Sequence, residues 1–326
     1  MKSKGLITVF AAAALLASGC TAENAAQSET SMQITTAVQT ETSAETEITQ
    51  EEINMEQFKA VITELMPSEY GEKREGVKYG EFQKHTYFSE TAGRDTNVNI
   101  LLPPDYSEDK EYPVLYILHG FYDNEDWMTR SAVNLNIIYG NLLAEGKADE
   151  MIIVLPYIFC DKNMPYCTGM DLANCYAYDN FINDLTTDLM PFIESSFSAA
   201  KGRENTAITG FSMGGRESMF IGFSRPDLFG YIGAVCPAPG LVNIPNSPMH
   251  PGQMTPEEMV FCDEKPCAFL ISSSEIDGVV GSAPNDYRNI MTENDTDYIS
   301  HVMKTTGHDH SSVNPHLYNF LQIVFR

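Results

Sequence analysis

Positive charge is scarce in this sequence. The 326-residue chain holds 20 Lys and Arg against 45 Asp and Glu, a formal net charge of −25. That imbalance excludes nucleic acid or an anionic membrane face as the main ligand, because both require basic patches. The apolar stretch Leu6 to Leu16 is too short to cross a bilayer as a helix. No CxxC and no matched His pair supports a zinc site, and the sequence calls for no metal and no cofactor. Internal repeats and a second domain boundary are also lacking. Hydrophobic residues nevertheless make up 43% and aromatics 10%, enough for a full core and too many for a disordered chain.

The first fifty residues carry an address and a tether. Lys2 and Lys4 precede the apolar stretch, and Ala17-Ser18-Gly19-Cys20 closes it with small residues. This is the layout of a secretory signal over residues 1–19. A Cys directly after Ser-Gly resembles a bacterial lipoprotein processing site, which implies diacylglycerol on Cys20. The protein is then exported and lipid-anchored on the outer face of the bacterial cell membrane, touching the membrane only through that lipid. Residues 21–52 contain no aromatic, Gly, Pro, Lys or Arg but seven Glu, so residues 20–52 read as a lipid site and a self-repelling, extended linker. Loss of Lys2 and Lys4 lowers the net charge to −27, and discounting the seven Glu leaves −20 on residues 53–326. The domain itself is acidic.

Residues 53–326 read as one α/β domain. Val98, Ile100 and Leu102 alternate along an outer antiparallel strand that ends at Pro103-Pro104. The runs Val114–Leu118, Met151–Leu155, Ala207–Phe211, Tyr231–Val235 and Ala268–Ile271 are apolar throughout, as strands buried on both faces of a parallel sheet require. Helical periodicity lies between them: Phe181, Ile182, Leu185, Leu189 and Phe192 share one face, and Leu317, Phe320, Leu321 and Val324 another. Strand–helix alternation predicts a mostly parallel central sheet with helices on both faces. The Cys-, Met- and Tyr-rich stretch 157–178 is expected to form a long loop above a site.

The chemistry concentrates at Gly210-Phe211-Ser212-Met213-Gly214, which follows a buried strand and opens a helix beginning near Arg216. This is a nucleophile elbow: small residues permit a tight turn that presents the Ser212 hydroxyl at the edge of the sheet. A serine nucleophile needs a base, and the base needs an orienting carboxylate. In this arrangement both follow the serine, each on a loop after a later strand. His250, His301, His308, His310 and His316 lie downstream. His308 is preferred, because it follows a strand and Gly307 lets the chain approach the serine; His310 shares the loop, and His301 alternates as a strand residue. Glu275 and Asp277 both follow Ala268–Ile271, and Asp277 is preferred because the Gly278–Gly281 turn would present it. The oxyanion hole needs two N–H donors. Met213, directly after the serine, supplies one, and Phe121, after His119-Gly120, supplies the other. His119 supports that loop without transferring protons.

Leu102-Pro103-Pro104-Asp105-Tyr106, Tyr112 to Gly120, Asp126-Trp127, Gly210 to Gly215, Gly307-His308-Asp309 and Pro315 to Leu321 together resemble an esterase group of α/β hydrolases. The resemblance is to bacterial feruloyl esterases and acetyl-xylan esterases of carbohydrate esterase family 1, over about residues 77–325. It implies an α/β-hydrolase fold, Ser212, Asp277 and His308 as triad, and Phe121 and Met213 as oxyanion donors. It also implies hydrolysis of plant cell-wall polysaccharide esters, feruloyl foremost, through an acyl-enzyme on Ser212. Its partners would be feruloylated or acetylated xylan and its oligosaccharides. Acetyl-xylan, a small ester or a siderophore ester would suit the same fold, and a surface carbohydrate-binding protein without catalysis is the reading from another class. Tyr166, Tyr176 and Trp127 are candidate substrate contacts. The acyl group, the polymer preference and the oligomeric state are not fixed by these residues. The six Cys other than Cys20 (160, 167, 175, 236, 262, 267) are even in number and permit disulfides in an exported chain, without fixing their pairing.

Overall fold

The computed structural model describes residues 50–243, 251–262 and 264–326. The signal, Cys20, nearly all of the linker and His250 lie outside them. Among the described residues, eight strands form one sheet. The hairpin of β1 (Phe82–Ser89) and β2 (Arg94–Leu101) pairs antiparallel and joins β4 (Ile152–Pro156) antiparallel through β2. From there β3 (Val114–Leu118), β5 (Thr206–Gly210), β6 (Tyr231–Val235), β7 (Ala268–Ser274) and β8 (Ile299–Met303) run parallel, giving the order β1-β2-β4-β3-β5-β6-β7-β8.

The continuous apolar runs are buried on both faces, as expected of inner parallel strands. Side chains alternate across the pleat. Val114, Tyr116 and Leu118 enter one core cluster, and Leu115 and Ile117 enter the other. Among the described residues, eight helices supply the covering layers. α1 (Gln50–Val61), α2 (Leu135–Ala144) and α8 (His310–Phe320) cover one face through Phe58, Ile138, Leu142, Val313 and Leu317. The other face is covered by α3 (Leu172–Asp179), α4 (Phe181–Asp184), α5 (Met190–Ser196), α6 (Met213–Ser224) and α7 (Ala283–Glu293), through residues such as Tyr178, Phe181, Ile193, Ile221 and Tyr287. This is the α/β-hydrolase architecture read from the sequence.

Three features depart from that reading. β1 was not expected: of its eight residues only Tyr87 and Ser89 are buried, so an edge strand facing water lacks the apolar pattern. The stretch 157–178 is not wholly a loop. Asp171 caps α3 by accepting from Asn174 N–H at 3.0 Å, and the helix occupies the last third of the segment. α6 begins at Met213, directly after the serine, rather than near Arg216. In addition, the six described cysteines are all free thiols, so the disulfides the sequence permits do not form, Cys262–Cys267 included.

Candidate active site

The turn after β5 forces an unusual backbone on Ser212, with φ 55° and ψ −112°. The surroundings hold it there. Its N–H donates to the Val235 carbonyl at 3.0 Å, and its carbonyl accepts from Ala238 N–H at 2.9 Å and Arg216 N–H at 3.0 Å. Gly210 and Gly214 are required by contact: a Cβ on Gly210 would lie 2.4 Å from Gly214 backbone, and one on Gly214 would lie 2.4 Å from the Leu118 carbonyl oxygen. Strain of this kind persists only where the surrounding structure over-determines it.

The loops after β7 and β8 bring the two expected partners to the serine. His308 Nε2 lies 2.9 Å from Ser212 Oγ, and His308 Nδ1–H donates to Asp277 Oδ2 at 2.6 Å. Asp277 Oδ1 accepts from Val279 N–H at 2.9 Å within the turn that follows it. Burial opposes the charge on Asp277. The hydrogen bonds from His308 and the Val279 N–H outweigh it and hold the carboxyl below the usual range. Of the alternatives, Glu275 is exposed and His310 is an exposed residue at the start of α8. His301 and His316 are buried and engaged elsewhere. Ser272 Oγ bonds to His301 Nδ1 at 2.8 Å and to His316 Nδ1 at 2.7 Å, and His316 Nε2 bonds to Thr209 Oγ1 at 2.7 Å.

Met213 opens α6, so its N–H has no acceptor within the helix. The end of β3 lies against this turn, as the close approach of Gly214 to the Leu118 and His119 carbonyls demonstrates. Ile158 N–H donates to His119 Nε2 at 3.1 Å, which places the ring proton on Nδ1, and that proton is donated to the Gly120 carbonyl at 2.8 Å. The Gly120 carbonyl and the Phe121 N–H share one planar peptide, so fixing one orients the other. Tyr178 of α3 adds a brace: its hydroxyl accepts from Tyr122 N–H at 3.1 Å, and its ring lies 5.0 Å from that of Phe121. Burial pushes His119 down to about 4, so the ring is neutral near pH 7.

The three candidate substrate contacts separate. Tyr166 and Tyr176 are 63% and 50% exposed on the stretch that leads into α3 and on α3 itself. Trp127 is buried and stacked on Phe211, with centroids 5.1 Å apart. Through Phe211, the residue before Ser212, it packs against the serine turn.

Among the described residues, one group of His, Cys and carboxylate atoms is close enough to hold a metal ion: Cys236, Asp277 and His308, with ligand atoms within 4.8 Å of one another. Two of these already bond to each other, so the group reads as an acid–base pair with a thiol behind it. A cleft of about 760 Å³ lies away from this site, at the starts of β3 and β6, lined by Val77, Pro113, Ala148 and Tyr231. Its residues carry no nucleophile–base pair, so volume does not mark the chemistry. Cys236 and Tyr178 were not singled out from the sequence, where nothing marks either as a neighbour of Asp277 or of the oxyanion loop.

Comparison with known proteins gives consistent matches. The family described as "Putative esterase" matches residues 89–309. A CE1 ferulic acid esterase from the anaerobic fungus Anaeromyces mucronatus is 39% identical, with a TM-score of 0.77 over 81% of this chain and 97% of that one; a second structure of it holds ferulic acid. An endo-1,4-beta-xylanase/feruloyl esterase from Xylanibacter ruminicola is 32% identical over 166 residues, 49% of this chain and 22% of that protein. The chain thus spans about a fifth of that relative's length. The feruloyl esterase module from Clostridium thermocellum, 18% identical with a TM-score of 0.65 over 82% of this chain and 94% of that one, shares the fold.

Proposed function

The chain belongs to this esterase family, and on that premise we propose that it hydrolyses feruloyl esters of plant cell-wall polysaccharide through an acyl-enzyme on Ser212. One observation carries the reading: the continuous line of hydrogen bonds from Ser212 Oγ through His308 to Asp277. His308 Nε2 takes the hydroxyl proton as Ser212 Oγ attacks the ester carbonyl, and Asp277 holds the ring in the tautomer that can accept it. The N–H groups of Met213 and Phe121 stabilise the oxyanion. Collapse of the tetrahedral intermediate breaks the ester C–O bond, and His308 returns the proton to the leaving sugar oxygen. Water, deprotonated by His308, then attacks the acyl-enzyme, releases the acid and restores Ser212.

The feruloyl reading draws support from the fungal relative solved with ferulic acid. Tyr166 and Tyr176 are exposed and offer rings for stacking on a sugar or phenolic ring. The signal-like segment before Cys20 supports export and lipid anchoring, which suits a polymer too large to import. Radiolabelled palmitate incorporated by the wild type and not by Cys20→Ala tests that anchoring. Ferulate and acetate release from arabinoxylan by purified protein, with Ser212→Ala as the blank, tests the substrate. Ferulate release is expected. Acetate alone would move the assignment to acetyl-xylan, and release of neither would sink the polysaccharide reading.

A further inference from the structure

The segment after β6 is locked on both sides. Val235 accepts from Ser212 N–H at 3.0 Å, Cys236 N–H donates to the Ser272 carbonyl at 2.8 Å, and Ala238 N–H donates to the Ser212 carbonyl at 2.9 Å. Between these bonds Cys236 takes a left-handed backbone, φ 47°, uncommon for a residue other than glycine. Its side chain is wholly buried, with Sγ within 4.8 Å of ligand atoms on both Asp277 and His308. The neighbouring Ser312 hydroxyl already donates its one proton to the Gly307 carbonyl at 2.5 Å, with the Thr306 hydroxyl 2.8 Å from Ser312 Oγ. Asp277, as a carboxylate, can only accept, and it has room for more than the bonds from His308, Val279 and Val280.

We propose that Cys236 is a positioning residue for this site: its thiol proton is donated to the Asp277 carboxylate and holds that carboxylate turned toward His308. A thiol is a weak donor in water, but a charged acceptor and a dry surrounding strengthen the bond. Burial and the facing charge of Asp277 push the thiol up to about 12, so it keeps its proton at any pH where the site could work. The same values make Cys236 a poor nucleophile, which separates this role from thiol chemistry. The left-handed backbone aims the side chain at the acid. Glycine would relieve the strain there but would leave Asp277 one donor short.

The proposal rests on the esterase reading for its kinetic test and is independent of it for its spectroscopic one. Cys236→Ala and Cys236→Ser in the full chain remove and strengthen the donor, respectively. The alanine variant is expected to lose about tenfold in kcat, the worth of one hydrogen bond to a charged group, with KM nearly unchanged. The serine variant is expected to recover most of that loss. The low-field proton resonance of His308 Nδ1–H should move in the alanine variant and return toward its wild-type position in the serine variant. Wild-type kcat and an unmoved resonance in Cys236→Ala would overturn the proposal, as would a serine variant as impaired as the alanine one. Should Cys236→Ala fail to fold, the serine variant decides alone: an impaired kcat, or a resonance displaced as far as in Asp277→Asn, overturns it. If the wild type cleaves no ester, the esterase reading fails, while the resonance still tests the thiol.

Discussion

The indole of Trp127 lies flat on the ring of Phe211, with centroids 5.1 Å apart and planes 13° from parallel. Phe211 in turn meets the His308 ring at 4.6 Å. A line of ring contacts thus runs from the loop after β3 through Phe211, the residue before Ser212, to His308. Trp127→Ala should therefore cost stability, about 3–5 kcal/mol as for other buried Trp truncations, and lower kcat with little change in KM. Chemical denaturation alongside steady-state kinetics checks this. Tyr166→Ala and Tyr176→Ala should do the reverse, leaving the unfolding midpoint in place and raising KM on polymeric substrate.

Asp277→Asn keeps the shape of the acid and removes its charge. The amide can present its NH₂ to His308 and favour the wrong tautomer, so kcat should fall by about 10⁴-fold while the fold persists. Glu275→Gln, at an exposed position, should leave kcat within about twofold. Comparable losses in the two variants would contradict the assignment of the acid.

Gly214→Ala tests the turn rather than the chemistry. The added methyl would sit 2.4 Å from the Leu118 carbonyl oxygen and 2.5 Å from that of His119, both backbone atoms that cannot move alone. The variant should lose activity altogether, either by misfolding or by pushing β3 away from α6 and opening the oxyanion site. Full activity would show that β3 and α6 are not held this closely.

Much of this arrangement was legible in the sequence, and the reasons are physical. Inner parallel strands must be apolar on both faces, so β3 through β7 appear as short unbroken runs. The serine turn tolerates only small residues at 210 and 214, which leaves a visible signature. β1 gave no such signal, because an edge strand facing water can be built from Gln83, Lys84 and His85. Glu275 and Asp277 look alike in the sequence, and only the fold turns one to solvent and the other to His308. Nor does anything in the sequence show that Cys236 meets Asp277. That meeting comes from the pairing of β6 with β7, which sets Val235 beside Ser272.

Three buried histidines make stability depend on pH. Burial lowers His119 to about 4, and it lowers His301 and takes His316 well below the ordinary 6.5. All three hold a proton less readily in the folded chain than in the unfolded one, so unfolding takes up protons below pH 6.5. A base depressed in the folded state contributes stability that is present above its unfolded value and lost as pH falls toward its folded one. The urea midpoint should therefore fall steadily from pH 7 toward pH 4.5, with proton uptake on unfolding that exceeds one. A midpoint flat across that window would contradict the neutral, buried state of these rings.

Labelling of the folded protein with a fluorophosphonate, followed by peptide mass spectrometry, tests the central assignment most directly. The account predicts one adduct per chain, on Ser212, and a sharply slowed reaction in His308→Ala. An unlabelled wild type, or an adduct on another residue, would contradict it.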